Sequence, residues 1–325
     1  MNDQKYYLQY KGEPWTGTSH QLYNLSVLLA EASILGRIAV LPDLTLAAHH
    51  NHGRAIRVPL SNYFDLSVFA AYVALITLPE FEQLNFSHPV WVDEKVPTRS
   101  LQGNPASLVV REFTNPSDVF SAPMKSDPQV EAVAAQMRSL VAPNQIVRSY
   151  AETAFSTLGQ DFDTIHVRRG DLLQQAQQEW WRFPGFDRRT RPQGIRNRIS
   201  AWSQAGRTLY IMTDELETGF FDPLKAWYKV YMFRDFPLFE TLRTEDNYLL
   251  YEVEKYIASR ARLQIEMFSQ YGQNVNFTYC LLDYPRWGVN NRFSRSLEKC
   301  YRVFWSIKSW LKRYLRYLRR LARIS

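Results

Sequence analysis

The densest group of residues able to do chemistry lies at the end of a strand-like run, Asp163 to Val167, in the string His166-Val167-Arg168-Arg169-Gly170-Asp171. Side chains alternate along a strand, so His166 and Arg168 share one face while Val167 and Arg169 take the other. Gly170 permits a sharp exit, and Asp171 is placed as an N-cap for the helix predicted over Leu172 to Gln178. The N–H groups at such a helix start favour an anion. A guanidinium beside them binds phosphate bidentately and stays charged. The predicted chemistry is therefore recognition of a phosphate. An Arg–Asp surface pair at a strand end is the plain alternative.

Two further strands end in polar groups: Leu209 to Met212 in Thr213-Asp214-Glu215, and Leu263 to Phe268 in Ser269-Gln270. Ligands of open α/β sheets bind outside the carboxyl ends of the strands, so the three endings together predict a site. Between them, Asn247 to Arg260 repeats apolar residues at helical spacing through Leu250, Val253 and Ile257. The first fifty residues read as a βαβ unit: a strand around Tyr6 to Tyr10, a loop from Gly12 to Ser19, and a helix carrying Leu22, Leu25, Leu28, Leu29, Ala32 and Leu35. Gly36 then stops the helix, and a buried strand follows from Ile38 to Leu41. Thr98 to Pro128, with Gly103, Pro105, Pro116 and Pro123, reads as irregular connection.

Composition narrows the function classes. The chain has 325 residues, 46% hydrophobic and 14% aromatic, and a net charge of +7. Arg292 to Ser325 holds eleven Lys/Arg against Glu298 alone, which leaves 28 bases and 31 acids elsewhere. The body is mildly acidic, which argues against a nucleic-acid-binding surface. Cys280 and Cys300 are too few for a disulfide framework. The start, MNDQKYYLQY, has no apolar signal core, and the longest apolar run, Val68 to Leu78, is too short to span a bilayer. These features predict a cytoplasmic protein, soluble or peripheral at a membrane.

The string HVRRGD resembles the signature of GDP-fucose-dependent fucosyltransferases, the protein O-fucosyltransferases and their α1,2 and α1,6 relatives. Other segments match in the same order. YYLQYKGEPWTGTSHQLYNLSVLLAEASILGRIAVLPDL is similar to the family's first unit, and SNYFDLSVF to its Tyr/Phe-Phe-Asp-Leu segment. LYIMTDELETGFFDPLK and YEVEKYIASRARLQIEMFS resemble later strand and helix segments, so most of residues 5 to 275 is covered.

The resemblance implies a GT-B glycosyltransferase: an α/β fold of two Rossmann-like lobes with a cleft between them, at 1–158 on the acceptor side and 159–291 binding the GDP-sugar. The function it implies is transfer of fucose from GDP-fucose to a hydroxyl of a protein Ser/Thr or a glycan, inverting, without metal or cofactor. Arg168 would hold the diphosphate and stabilise it as leaving group, with His166 and Asp171 beside it. Negative charge grows on the β-phosphate as the fucose C1–O bond breaks, and a fixed cation aimed there lowers the barrier. Asp214 and Glu254 match acidic positions that accept guanine N–H donors. Ser269 and Gln270 fall where the family's Ser/Thr loop donates to phosphate.

Two departures stand out. His20-Gln21 replaces the family's Asn-Gln, which puts His20 at the nucleotide, and Glu266 to Tyr271 replaces Gly-Thr-x-x-Ser-Thr-Phe. They motivate an alternative: a catalytically degenerate relative that binds GDP or glycan as a scaffold. Glu13 lies near the position of a catalytic carboxylate in some relatives and could deprotonate the acceptor; a solvated loop glutamate is the plain reading. His49, His50 and His52 are too closely spaced in a loop to share a metal without further ligands.

The tail, 292–325, follows a separate logic. Leu297, Tyr301, Phe304, Leu311, Leu315, Leu318 and Ala322 fall on one helical face, with Arg313, Arg316, Arg319, Arg320 and Arg323 around the remainder. A basic amphipathic helix suits an anionic membrane surface through 297–323. Docking on the body with a solvated basic face is the other reading.

Overall fold

The computed structural model describes residues 5–11, 18–46, 55–86, 88–113, 127–178, 183, 185–268 and 280–282. The expected βαβ unit is present: β1 (Tyr7–Lys11), α1 (Thr18–Leu35) and β2 (Ile38–Leu41), with Tyr7 of β1 against Ile38 of β2 in a parallel pair. Gly36 carries φ of +61°, the left-handed stop that a residue without Cβ adopts cheaply. Helix α1 is apolar on two sides because both are covered. Leu25, Leu28, Leu29 and Ala32 join the main core, while Val27 and Ala30 pack on Phe113, Val130 and Ala134.

The chain continues through a small antiparallel hairpin, β3 (Leu44–Leu46) and β4 (Ile56–Val58), then β5 (Leu75–Thr77), α2 (Leu78–Glu82), β6 (Val90–Asp93) and β7 (Leu108–Glu112). The first sheet has the order β5-β2-β1-β7-β6, and every neighbouring pair in it is parallel. This corrects the expectation of irregular chain over 98–128: β7 is the partner of β1 along its whole length. Its four residues Leu108 to Arg111 are buried. A strand of five residues, three apolar ones followed by Arg111 and Glu112, has no clear alternation to read. Its charge is acceptable only because Glu31 of α1 meets it.

That contact is a closed network. Arg111 donates from Nε to Glu31 Oε2 at 3.0 Å and from Nη2 to Oε1, and its Nη1 donates to the Asp93 and Val96 carbonyls at 3.0 Å. Tyr10 and Thr98 hydroxyls also donate to Glu31, at 2.6 and 2.8 Å. Both ion-pair side chains are fully buried. A buried pair is tolerated when its remaining polar atoms are hydrogen-bonded, as here.

The second half runs α3 (Pro128–Leu140), α4 (Gln145–Leu158), β8 (Phe162–Val167), α5 (Gly170–Gln178), α6 (Phe186–Thr190), α7 (Pro192–Ile199), β9 (Thr208–Thr213), β10 (Lys229–Tyr231), α8 (Pro237–Glu245), α9 (Asn247–Ser259), β11 (Leu263–Phe268) and β12 (Cys280–Leu282). The sheet order is β10-β9-β8-β11-β12. Three strands predicted from sequence, β8, β9 and β11, are thus neighbours at its centre. Among the described residues, no helix is long and apolar enough to cross a membrane.

By compactness the chain divides into two units, 1–165 with 203–212 and 227–264, and 166–202 with 213–226 and 265–325. The first contains the large core, from Leu8 and the α1 leucines through Tyr210, Phe239 and Val253. The second receives the carboxyl ends of β8, β9 and β11, with Leu172, Phe186, Ile195 and Phe221 among its buried residues. The tail from 292, with its predicted membrane-binding face, lies outside the described residues.

Candidate active site at the ends of β8 and β9

The site is built where β8 and β9 end. The Thr213 hydroxyl donates to the Val167 carbonyl at 2.7 Å, pinning the two exits together. Beyond that point the two arginines diverge. Arg169 turns inward with a side chain 4% exposed, and Arg168 stays 41% exposed. Arg169 donates from Nε to Glu215 at 2.9 Å, from Nη2 to Asp187 at 2.9 Å and from Nη1 to the Thr190 hydroxyl at 2.5 Å. Its guanidinium carbon lies 4.5 Å from the Phe220 ring centroid. Two carboxylates thus neutralise this cation, and α6 and the β9 exit are tied to the end of β8.

Arg168 is held differently. It donates from Nε and Nη2 to the two oxygens of Asp171, at 3.0 and 2.5 Å. A bidentate guanidinium–carboxylate pair fixes the orientation of the fork, and an exposed one contributes little to stability. An arginine in such a place is available for exchange onto an anionic ligand.

Asp171 was expected as an N-cap; instead α5 begins at Gly170 and Asp171 lies in its first turn. The cap comes from the residue that follows β9: Asp214 Oδ1 accepts the Arg169 N–H at 2.6 Å and the Gly170 N–H at 3.0 Å. The expectation of vacant N–H groups at this helix start is corrected for these two amides, which a carboxylate already occupies. His166 turns Nδ1 toward Glu266 Oε2 of β11 at 3.4 Å, each side chain 29% exposed.

His166, Arg168, Asp171 and Asp214 are therefore all in the second unit, at the exits of β8 and β9. Glu254 belongs to the first unit: it is 6% exposed and accepts the Tyr210 hydroxyl at 2.9 Å. Burial, and then the Glu254 charge, push that phenol well above its ordinary range. His20 lies in the first turn of α1, and its side chain is outside the described residues, as are Glu13, His49, His50, His52, Ser269 and Gln270. The neighbouring Gln21 clasps β3, donating to the Thr45 carbonyl and accepting its N–H, both at 2.8 Å.

Sequence reasoning missed Asp187, Thr190 and Glu266. Eighteen residues separate Asp187 from Arg169, and no local spacing marks the pair. For Glu266 a signal existed, since it occupies the same exit end of a predicted strand as His166 does.

No protein-family model matches the chain, and no curated protein matches it in sequence. Solved structures are similar in fold. POFUT1 in complex with GDP-fucose superposes with a TM-score of 0.50 at 13% identity, over 82% of this chain and 91% of that one. NodZ alpha-1,6-fucosyltransferase soaked with GDP-fucose gives 0.47 at 13% identity, over 83% and 90%. Fucosyltransferase NodZ from Bradyrhizobium gives 0.47 at 15% identity, over 81% and 89%. The fold is α/β with parallel sheets, of the GT-B type.

Proposed function

We propose that this protein is a glycosyltransferase that moves fucose from GDP-fucose to an acceptor hydroxyl. The observation that carries this reading is the exposed, oriented Arg168 beside a buried and neutralised Arg169. One arginine is spent on structure, and the other is available to a ligand of negative charge. The likeness in fold to POFUT1, solved with GDP-fucose, supports the choice of donor. In the proposed organisation 1–158 is the acceptor-side lobe and 159–291 the donor-side lobe.

In this reaction the fucose C1–O bond breaks and its electrons pass to the β-phosphate. The acceptor oxygen bonds to C1 from the opposite face, and the acceptor proton goes to a base, for which Glu13 is the proposed residue. Arg168 exchanges Asp171 for the diphosphate and neutralises the charge that grows on it, the task a metal ion performs elsewhere. His166 sits on the same strand exit, two residues away.

Calorimetry with GDP and UDP tests the donor. Saturable binding of GDP, weak binding of UDP and loss of the GDP signal in Arg168→Ala are expected. Equal affinities for the two nucleotides would remove the assignment. The bidentate hold of Asp171 on Arg168 favours one other reading, a GDP- or glycan-binding scaffold whose arginine is not released for catalysis. GDP binding without any release of fucose from GDP-fucose would select the scaffold.

A further inference from the structure

We infer that Asp214 is a positioning residue for Arg168, acting through the backbone of the turn and not through the guanine base. This rests on the reading of the site as a GDP-fucose site.

Three contacts define the turn. Thr213 holds the Val167 carbonyl, so the chain leaving β9 runs beside the chain leaving β8. One residue on, a single oxygen of Asp214 accepts two consecutive amides, those of Arg169 and Gly170. Each peptide group is planar, so holding its N–H also orients the carbonyl and Cα on its other side. The Arg169 amide belongs to the peptide group that begins at Arg168. The clamp therefore sets the backbone from which the Arg168 side chain departs.

Gly170 shows how closely the carboxylate is seated. A Cβ at 170 would lie 2.9 Å from Asp214 Oδ2 and 3.2 Å from Cγ, well inside van der Waals contact. The glycine is needed for access by a carboxylate, since its φ is not in the left-handed region. Glu215 completes the arrangement, with one oxygen on the buried Arg169 guanidinium and the other on the Glu217 N–H at 3.1 Å. Two consecutive acids thus address one turn: Asp214 its backbone, Glu215 its buried side chain.

The consequence for chemistry follows from where precision is needed. A cation stabilises the departing diphosphate only when it is aimed at the oxygen where charge develops, and a misplacement near 1 Å costs about a hundredfold in rate. Arg168 is exposed, and once it has exchanged Asp171 for the diphosphate neither that pair nor packing aims it, so its placement then rests on its backbone. Reading the guanine edge, by contrast, asks a carboxylate to accept N1–H and N2–H with its two oxygens, and here Oδ1 already serves two amides.

The test compares wild type with Asp214→Ala and Asp214→Asn by three readouts: turnover of GDP-fucose, preference for GDP over UDP, and amide hydrogen exchange at Arg169 and Gly170. Asp214→Ala is expected to lower kcat by about tenfold to a hundredfold with little change in KM, to keep the nucleotide preference and to lose protection at both amides. Asp214→Asn keeps a carbonyl oxygen as acceptor and is expected to recover most of the rate and protection. Loss of the GDP preference with kcat retained would overturn the inference in favour of base reading, and unchanged exchange at 169 and 170 would overturn it outright. If wild type neither binds GDP nor turns over GDP-fucose, the proposed function fails, while the exchange data still decide for or against the clamp.

Discussion

Arg168 and Arg169 are consecutive in the chain and opposite in environment: the side chain of one is 41% exposed on a single carboxylate, and that of the other is 4% exposed between two. The same residue type is architectural at the second position and, in the proposed function, serves ligand chemistry at the first. Substitution separates these roles.

Arg168→Ala is expected to leave the unfolding midpoint nearly unchanged, because an exposed pair contributes about 0–1 kcal/mol. Turnover of GDP-fucose is expected to fall by about 10²–10³-fold, the usual loss for a fixed donor at developing charge. Arg168→Lys keeps the charge but loses the fork, and should recover only part of the rate. Urea titration beside steady-state kinetics checks both.

Arg169→Met is expected to behave the other way. It takes the guanidinium away from Glu215 and from Asp187, which keeps Arg191 as its other partner, and removes the tie between α6 and the end of β8. The cost is about 2–3 kcal/mol, below the value for a fully buried pair because Asp187 is 43% exposed. A variant as stable as wild type would refute the architectural role.

The same cluster gives a pH dependence. Asp187 and Glu215 both lie below the usual carboxylate range. Burial is the largest influence on each and acts upward. Hydrogen bonds from Arg191 and Arg169 outweigh it for Asp187, and those from the Glu217 N–H and Arg169 do so for Glu215. A folded-state value below the unfolded one means that the stabilisation is complete above about pH 4 and is lost as pH falls through the folded value. Amide protection around Arg169 and Thr190 should therefore fall below about pH 4 in wild type. In Arg169→Met this acid-dependent loss should shrink.

In the first unit, Arg111→Met should cost about 3–5 kcal/mol by leaving the Glu31 carboxylate buried and unpaired. Adding Glu31→Met removes that charge and is expected to restore part of the loss. A double-mutant cycle in urea reads the coupling; simple additivity would show that the pair is not a unit.

The basic segment gives a prediction of another kind. If 297–323 binds an anionic surface, co-sedimentation with phosphatidylserine vesicles should be lost in a chain ended after Asn291 and should weaken at high salt. Unchanged sedimentation would assign the basic face to something other than a membrane.

Much of the fold was legible locally. The boundaries of β2 and β11 agree with the strands read from sequence, and α1 ends at Leu35, before Gly36, as its periodicity and glycine stop require. These are features of near neighbours: alternation, helical spacing, a left-handed stop. β7 was not legible, because Arg111 ends its apolar run after three residues and is neutralised by Glu31, eighty residues away in the chain.

The site divides in the same way. By itself the sequence determined which chemistry was available at the end of β8, an imidazole, two guanidinia and a carboxylate within six residues, and alternation placed the two arginines on opposite faces. Only the tertiary structure decided which arginine was buried, because that depends on Asp187 from α6 and Glu215 from the β9 exit being brought to one side of the sheet. It also decided that Asp214 grips the backbone of the arginine turn. Partners tens of residues apart leave no spacing to read, and a buried cation takes the side on which its counter-charges arrive.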